Sequence, residues 1–281
     1  MAHKSGNGRD NILLLFAYMN IHYTKRLIRH FLKARFWHGF GIHSPYVYHL
    51  QRHIISSKIH DDKTLIDKTK AYRRCLLNNK AIIKLNDLGT RNYRSGSVAQ
   101  ITNRTAIGNK SGRLLARLTH DYNPSLIIEL GTSTGVSSAY LSLAAPPECS
   151  IITIEGSEEC SAIAKKTMQK LSFGSNIQFL TGNFDNVLPS VAPSATNAKT
   201  LAYIDGNHTY EATLRYADIL IHNAGDEMMM IFDDIHLSHG MDKAWSEICT
   251  KKEIATSLDL GRLGIAIIRN GCQKEHYELR N

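Results

Sequence analysis

Short apolar runs recur at near-regular intervals through the second half of the chain, and each stops at a polar or acidic residue. Leu126-Ile127-Ile128 ends at Glu129, and Ser150 to Ile154 ends at Glu155. Ile177 to Leu180 leads into Gly182-Asn183, Thr200 to Ile204 into Asp205, and Glu227 to Phe232 into Asp233-Asp234. Between these runs lie helix-compatible stretches: Val136 to Leu143, 157–171, 209–223 and 240–249. The second of them opens on Ser157 as a cap, with Glu158 and Glu159 in its first turn. Two last apolar runs, Ile254 to Leu260 and Gly264 to Arg269, are split by a short Gly-containing turn and predict a hairpin. Alternating strand and helix predicts an α/β fold with a doubly wound, mostly parallel sheet. Ligands of such sheets bind beyond the carboxyl ends of the strands, where these polar residues fall.

The front of the chain has a different pattern. Residues 11–37 predict a helix, with Leu27, Ile28, Phe31 and Leu32 at helical spacing among basic residues. Ser44-Pro45 predicts a helix start, and 60–80 predicts a second basic helix. Residues 84–112 are rich in Gly, Ser, Thr and Asn, which predicts a loop, with a lid as the preferred role and a linker as the alternative. Arg113 to Leu118 predicts an amphipathic helix. The chain thus divides into a basic, mainly helical extension over 1–112 and a sheet domain over 113–281.

Charge sharpens that division. Residues 1–117 hold 22 Lys and Arg against 5 Asp and Glu, a net of +17, whereas 118–281 hold 12 against 20, a net of −8. The basic front suggests an anionic partner, such as a phosphorylated metabolite, a nucleic acid or a membrane surface, or else a solvated helical face. No aromatic-interleaved RNA-binding motif accompanies it. The five cysteines form no C-x-x-C pair, which favours a reducing, cytoplasmic setting and disfavours a zinc site. The apolar run Ile12 to Met19 is too short to span a membrane, and Met19 is an alternative start. Nothing in the sequence fixes the oligomeric state.

The chemistry concentrates at the strand ends. After Glu129 comes a small-residue turn, Gly131-Thr132-Ser133-Thr134-Gly135, and then a helix. Its G-x-x-x-G spacing differs from the G-x-G-x-x-G of dinucleotide sites, and a carboxylate ending the first strand would repel a pyrophosphate. Glu129 instead suits a ligand that carries a cation or hydrogen-bond donors and no phosphate, such as S-adenosylmethionine. Glu155 fits as acceptor for both ribose hydroxyls, and Gly182-Asn183-Phe184-Asp185 would meet an adenine, Phe184 as an apolar wall and Asp185 or a backbone group toward the exocyclic amine. Asp205 and His208, separated by the turn at Gly206, point over one cleft. Asp205, Asp233 and Asp234 are three carboxylates on neighbouring strand ends with no Lys or Arg between them in sequence. They repel one another and call for a cation. Hard oxygen donors favour magnesium, calcium or manganese.

The series E-L-G-T-S-T-G, I-E-G-S, G-N-F-D, Y-I-D-G-N-H-T-Y and F-D-D-I-H resembles the small-molecule O-methyltransferase branch of class I S-adenosylmethionine-dependent methyltransferases. Within that branch it is similar to the catechol O-methyltransferase-like and methyltransferase domain 24 groups. The resemblance covers 113–281. The front segment G-F-G-I-H-S-P-Y-V-Y looks like that of uncharacterised bacterial members. The resemblance implies a seven-stranded, Rossmann-like sheet with an antiparallel C-terminal hairpin. It implies a cofactor site at Glu129, Gly131, Thr132, Ser133, Gly135, Glu155, Gly156, Asn183, Phe184 and Asp205. It also implies a metal on Asp205, Asp233 and Asp234, with Asp234 where the branch has Asn. His208 stands where the branch has a basic lysine, and imidazole suits proton abstraction from a hydroxyl at neutral pH. The expected acceptor is a small molecule. The alternatives are a nucleic-acid methyltransferase, a catalytically inert binding module and, disfavoured by the glycine spacing, a nicotinamide oxidoreductase.

Overall fold

The protein is described by a computed structural model over residues 21–32, 34, 41–56, 62–87, 92–174 and 176–280, without the side chains of 85–87 and 92–94. The continuous apolar runs become the strands of the sheet, and the inner ones among them are buried on both faces. β3 (Leu126–Leu130), β4 (Ser150–Glu155), β5 (Ile177–Thr181), β6 (Thr200–Ile204) and β7 (Glu227–Phe232) are all parallel. β8 (Ile254–Asp259) and β9 (Gly264–Arg269) form the expected antiparallel hairpin, and β9 also pairs antiparallel with β7. A short β10 (Glu275–Glu278), absent from the sequence reading, adds an eighth strand beside β8. The order across the sheet is β10-β8-β9-β7-β6-β3-β4-β5.

Helices cover both faces: α5 (Asn109–Tyr122), α6 (Val136–Ala144), α7 (Glu158–Lys170), α8 (Phe184–Val191), α9 (Tyr210–His222) and α10 (His239–Thr250). α7 begins as expected, with the Ser157 side chain accepting from the Cys160 amide. Reversal of the strand order beside β3 opens a crevice at the carboxyl ends of β3 and β6, the usual ligand position in such sheets.

In the front half, residues 21–32 are helical (α1), Ala34 is described and not helical, and the rest of the expected 11–37 helix, with the Ile12–Met19 run, lies outside the described residues. α2 (Pro45–His49) continues into a wider turn, Leu50–Ile55, and α3 (Lys63–Leu77) starts on Asp62, which accepts from the Thr64 amide at 2.8 Å. The expected loop over 84–112 is corrected. It contains most of an antiparallel hairpin, β1 (Ile82–Asp87) with β2 (Asn92–Ser97), followed by α4 (Val98–Thr105). Two features outweigh its polar composition. Ser97 and Gln100 form a reciprocal capping box, and Ile83, Val98 and Ile101 are buried. Val47, Leu50, Tyr72 and Leu76 pack in one cluster with Leu114, Leu118 and Tyr140, so the front half shares the core of the sheet. Among the described residues no helix is long and apolar enough to cross a membrane.

Candidate active site

At the carboxyl ends of β3 to β7 lies a cavity of about 950 Å³. The turn after β3 forms its floor. Gly131 has φ +103° and packs so tightly that a Cβ would sit 2.0 Å from the Asp205 carbonyl oxygen. Gly135 has φ +83°, and a Cβ there would meet the Tyr72 hydroxyl at 2.5 Å. Only glycine satisfies both the backbone and the space. Ser133, Asn207 and Asp234 also adopt left-handed φ, at 47°, 51° and 53°, and all three line the cavity. Backbone strain of this kind collects at functional sites, where the surrounding structure over-determines it.

The half of the cavity around the glycine turn is tied to β4 and α8. Glu155 Oε2 accepts from the Ser133 amide at 2.7 Å, and Oε1 from the Ser157 amide at 2.9 Å. The carboxylate thereby ties the glycine turn to β4. Gly156 follows it on the cavity wall. Asn183 caps α8, accepting from the Asp185 amide at 2.9 Å, which places Phe184 at the first helical position. Phe184 packs edge-on against Tyr216, ring centres 5.8 Å apart, and covers Gly206. Thr132 is buried, and its hydroxyl bonds Thr153.

Glu129 lies beneath this floor and not on the cavity wall. Burial pushes its carboxyl up to about 7, against the pull of hydroxyl bonds from Ser137, Ser138 and Thr153. A shift of that size leaves roughly 3 kcal/mol of ionisation cost uncompensated. Its Oε1 has no protein partner. The sequence reading placed Glu129 against the ligand; in the fold it faces the hydroxyls of α6 and β4.

The opposite half of the cavity gathers around Asp205. Tyr203, buried and kept protonated mainly by burial, donates to Asp205 Oδ2 at 3.1 Å. His208 Nε2 lies 3.5 Å from Asp205 Oδ1. Burial opposes protonation of this imidazole, but Asp205, Asp234 and Asp233 outweigh burial and raise its pKa above the usual value. Asn207 donates to the Tyr216 hydroxyl at 3.0 Å, and Thr209 caps α9, so the turn carrying His208 is fixed at both sides.

The expectation of three unpaired acids is corrected here. Arg262, from the β8–β9 turn, grips Asp233 with both arms, Nε to Oδ1 at 2.7 Å and Nη2 to Oδ2 at 2.8 Å. The same Nε lies 3.3 Å from Asp234 Oδ1. Burial and the neighbouring Asp205 charge push the Asp233 carboxyl up to about 6, against the pull of the Arg262 guanidinium. Both Asp233 oxygens already have donors, Oδ1 also accepting the Asp234 amide at 2.8 Å. Among the described residues, the cluster of side chains whose donor atoms converge closely enough for an ion contains none of these acids; it is His22, His239 and Asp242. The donor set of Asp205, Asp233 and Asp234 does not fit a divalent cation. Arg262 was missed because it follows Asp233 by 29 residues. A signal existed: in an antiparallel pairing of β9 with β7, residues just before Gly264 flank those just after Phe232.

The front half reaches the same cavity. Tyr72 of α3 donates to the Thr134 carbonyl at 2.9 Å, and Thr105 of α4 bonds Ser133 at 2.7 Å. On α1, Tyr23 is half-buried, and its hydroxyl feels Asp234, Arg262 and Asp233. Sequence reasoning assigned none of these roles.

Residues 128–235 match the family model described as a methyltransferase domain. Over 95 residues the chain is 30% identical to a catechol O-methyltransferase from Niastella koreensis, covering 34% of this chain and 42% of that one. Over 84 residues it is 29% identical to a transmembrane O-methyltransferase homolog from Mus musculus, covering 30% and 33%. The match to the mouse protein thus spans about a third of that relative's length. The fold is similar to that of the O-methyltransferase TomG from Streptomyces achromogenes, solved in complex with SAM. That likeness has a TM-score of 0.54 and 17% identity over 79% of this chain and 96% of that one. It is similar also to an O-methyltransferase from Bacillus cereus, solved in complex with SAH, with a TM-score of 0.54 and 14% identity over 79% and 97%. The glycine turn, the strand-end carboxylates and these likenesses agree: residues 128–235 match a methyltransferase domain, and the fold over 79% of the chain is similar to that of the two O-methyltransferases.

Proposed function

We propose that the protein is an S-adenosylmethionine-dependent methyltransferase that methylates a hydroxyl on a small molecule. The observation that carries this reading is the Gly131–Gly135 turn, tied by Glu155 to β4 and opening on the same cavity as Asp205 and His208. A cavity of about 950 Å³ matches small-molecule sites, which run to roughly 1,000 Å³. The residues present fit the cofactor. Glu155 offers acceptors for ribose hydroxyls, Phe184 an apolar wall, and Asp205 a carboxylate for an amino group beside the turn. When bound, the cofactor supplies a methyl group already activated on a sulfonium.

What remains for the protein is to position the acceptor and take its proton. His208 is the base. With Nε2 turned toward Asp205, Nδ1 is the acceptor for the substrate proton, and Asp205 steadies the imidazolium that forms. Asn207 and Thr209 hold the turn, so His208 needs little reorganisation. No step runs through a metal, because Arg262 already engages the acids that would ligate one.

Calorimetric titration with S-adenosylmethionine and its demethylated product, S-adenosylhomocysteine, against NAD tests the reading. Micromolar-range binding of the first two, and none of NAD, is expected. NAD binding without either adenosyl compound overturns it.

A further inference from the structure

We propose that Arg262 is the built-in cation of the acceptor half of the cleft. It holds Asp233 and Asp234 in place of a divalent ion and meets the acceptor oxygen as that oxygen loses its proton. This rests on the methyl-transfer reading above and goes beyond it by assigning how negative charge on the acceptor is met.

Three carboxylates on adjacent strand ends are unstable together without a positive charge. A divalent ion and a guanidinium are alternative solutions to that problem, and the geometry selects the second. A planar fork matches a carboxylate through two parallel bonds, and both are made, at 2.7 and 2.8 Å. Asp234 is within 3.3 Å of the same Nε, and Asp205 accepts instead from Tyr203 and lies beside His208. A metal would need oxygen lone pairs that now accept from N–H and O–H donors.

The backbone fixes Arg262 from both directions. Its carbonyl accepts the Ile235 amide at 3.1 Å, and the turn closes through Leu260 N–H to the Leu263 carbonyl at 2.9 Å. Asp259 accepts from the Gly261 amide at 2.8 Å. The side chain still lines the cavity and keeps 41% of its surface exposed, so its charge reaches a ligand. The half-buried Tyr23 hydroxyl of α1 is near enough to feel the charges of Asp234, Arg262 and Asp233. That helix is pinned by Arg26 to Asp242 at 2.9 Å and by His30 to the Leu279 carbonyl at 3.0 Å. The acceptor class that suits this setting carries a hydroxyl acidic enough to develop anionic character before transfer. In the step, the acceptor O–H proton goes to His208 and the oxygen forms the new O–CH₃ bond. The C–S pair stays on sulfur, which leaves as a neutral thioether. Arg262 faces the charge that develops on the oxygen and cannot itself lose a proton.

The test needs no acceptor. Full-length protein saturated with S-adenosylhomocysteine is titrated with manganese chloride, as wild type, Arg262→Ala, Arg262→Lys, Asp233→Asn and Arg262→Ala/Asp233→Asn. Wild type and Arg262→Lys are expected to show no manganese site that Asp233→Asn removes, down to affinities on the order of 1 mM. Arg262→Ala is expected to gain one site at least about tenfold tighter than that limit, and the double variant to lose it again. A wild-type manganese site abolished by Asp233→Asn overturns the proposal. So does an Arg262→Ala protein that folds and gains none. If Arg262→Ala does not fold, the wild-type and Arg262→Lys arms still decide. Failure of wild type to bind S-adenosylhomocysteine strikes the methyl-transfer reading instead and is recorded separately.

Discussion

The two halves of the cleft are held by different kinds of contact. On the cofactor side, the bonds at Glu155 and Asn183 join residues 2 to 22 apart, in adjacent turns of the β3–α8 segment. On the acceptor side, Asp233 depends on Arg262, 29 residues on, and α1 is tied to α10 across 216 residues. The first half is a strand-turn-helix unit braced from the front half at Thr134 by Tyr72 and at Ser133 by Thr105. The second assembles only when the hairpin and the front helix are docked. The bonds of Glu155 and Asn183 therefore stay within the β3–α8 segment, whereas the charges of the second half meet only once the β8–β9 turn is in place.

That contrast can be broken most sharply at Gly131. Gly131→Ala drives a Cβ to within 2.0 Å of the Asp205 carbonyl, in a backbone conformation alanine avoids. Adenosylhomocysteine binding is expected to fall below detection by calorimetry, with the melting temperature lowered. Retention of wild-type affinity would show that the turn does not form the floor.

His208→Ala probes the other half. Loss of a general base costs about 10²–10⁴-fold in turnover, while adenosylhomocysteine affinity is expected to stay within a few-fold. Because the imidazole pKa is raised, the acid limb of the wild-type pH–rate profile lies above the ordinary histidine value, near 6.5. A limb below that value contradicts the assignment.

His236 sharpens the comparison through stability. It bonds Asp259 at 2.8 Å and also Asp242, the residue that holds α1. Burial works against its charge, but the two carboxylates raise its pKa to about 9. The folded-state value exceeds the unfolded one, so the stabilisation is complete below about pH 6.5 and fades as pH climbs through 9. The size is roughly 3 kcal/mol. Urea unfolding of wild type is expected to weaken across that window. His236→Ala is expected to lose that amount at pH 6 and to show a flat profile between 6.5 and 9.

The smallest effect is expected at Glu155. Glu155→Ala removes acceptors for ribose hydroxyls and for the Ser133 and Ser157 amides. Adenosylhomocysteine affinity should fall by roughly 1.5–3 kcal/mol, about 10- to 150-fold. An unchanged dissociation constant would remove Glu155 from the cofactor site.

Much of this was legible before folding. The five parallel strands, the hairpin, the Gly131–Gly135 turn and the ring of polar strand ends follow from period, length and turn chemistry, which act over a few residues. Glu155, Asn183 and His208 were singled out for the same reason: each lies within four residues of the end of an apolar run. The hairpin and helix within 84–112 were hidden because composition pointed to a loop, while the capping box and three buried side chains decided otherwise.

Sequence by itself determined the class of fold and the side of the sheet on which chemistry gathers, because strand periodicity and glycine geometry are local constraints. Only the tertiary structure decided which charges meet. Local spacing left Asp205, Asp233 and Asp234 as three bare acids; the antiparallel register of β9 on β7 brought Arg262 between them. Local spacing put Glu129 at a strand end; packing of α6 and β4 buried it beneath the floor. Electrostatic partnership depends on distance in space, and a chain separated by tens of residues acquires that distance only when its sheet closes.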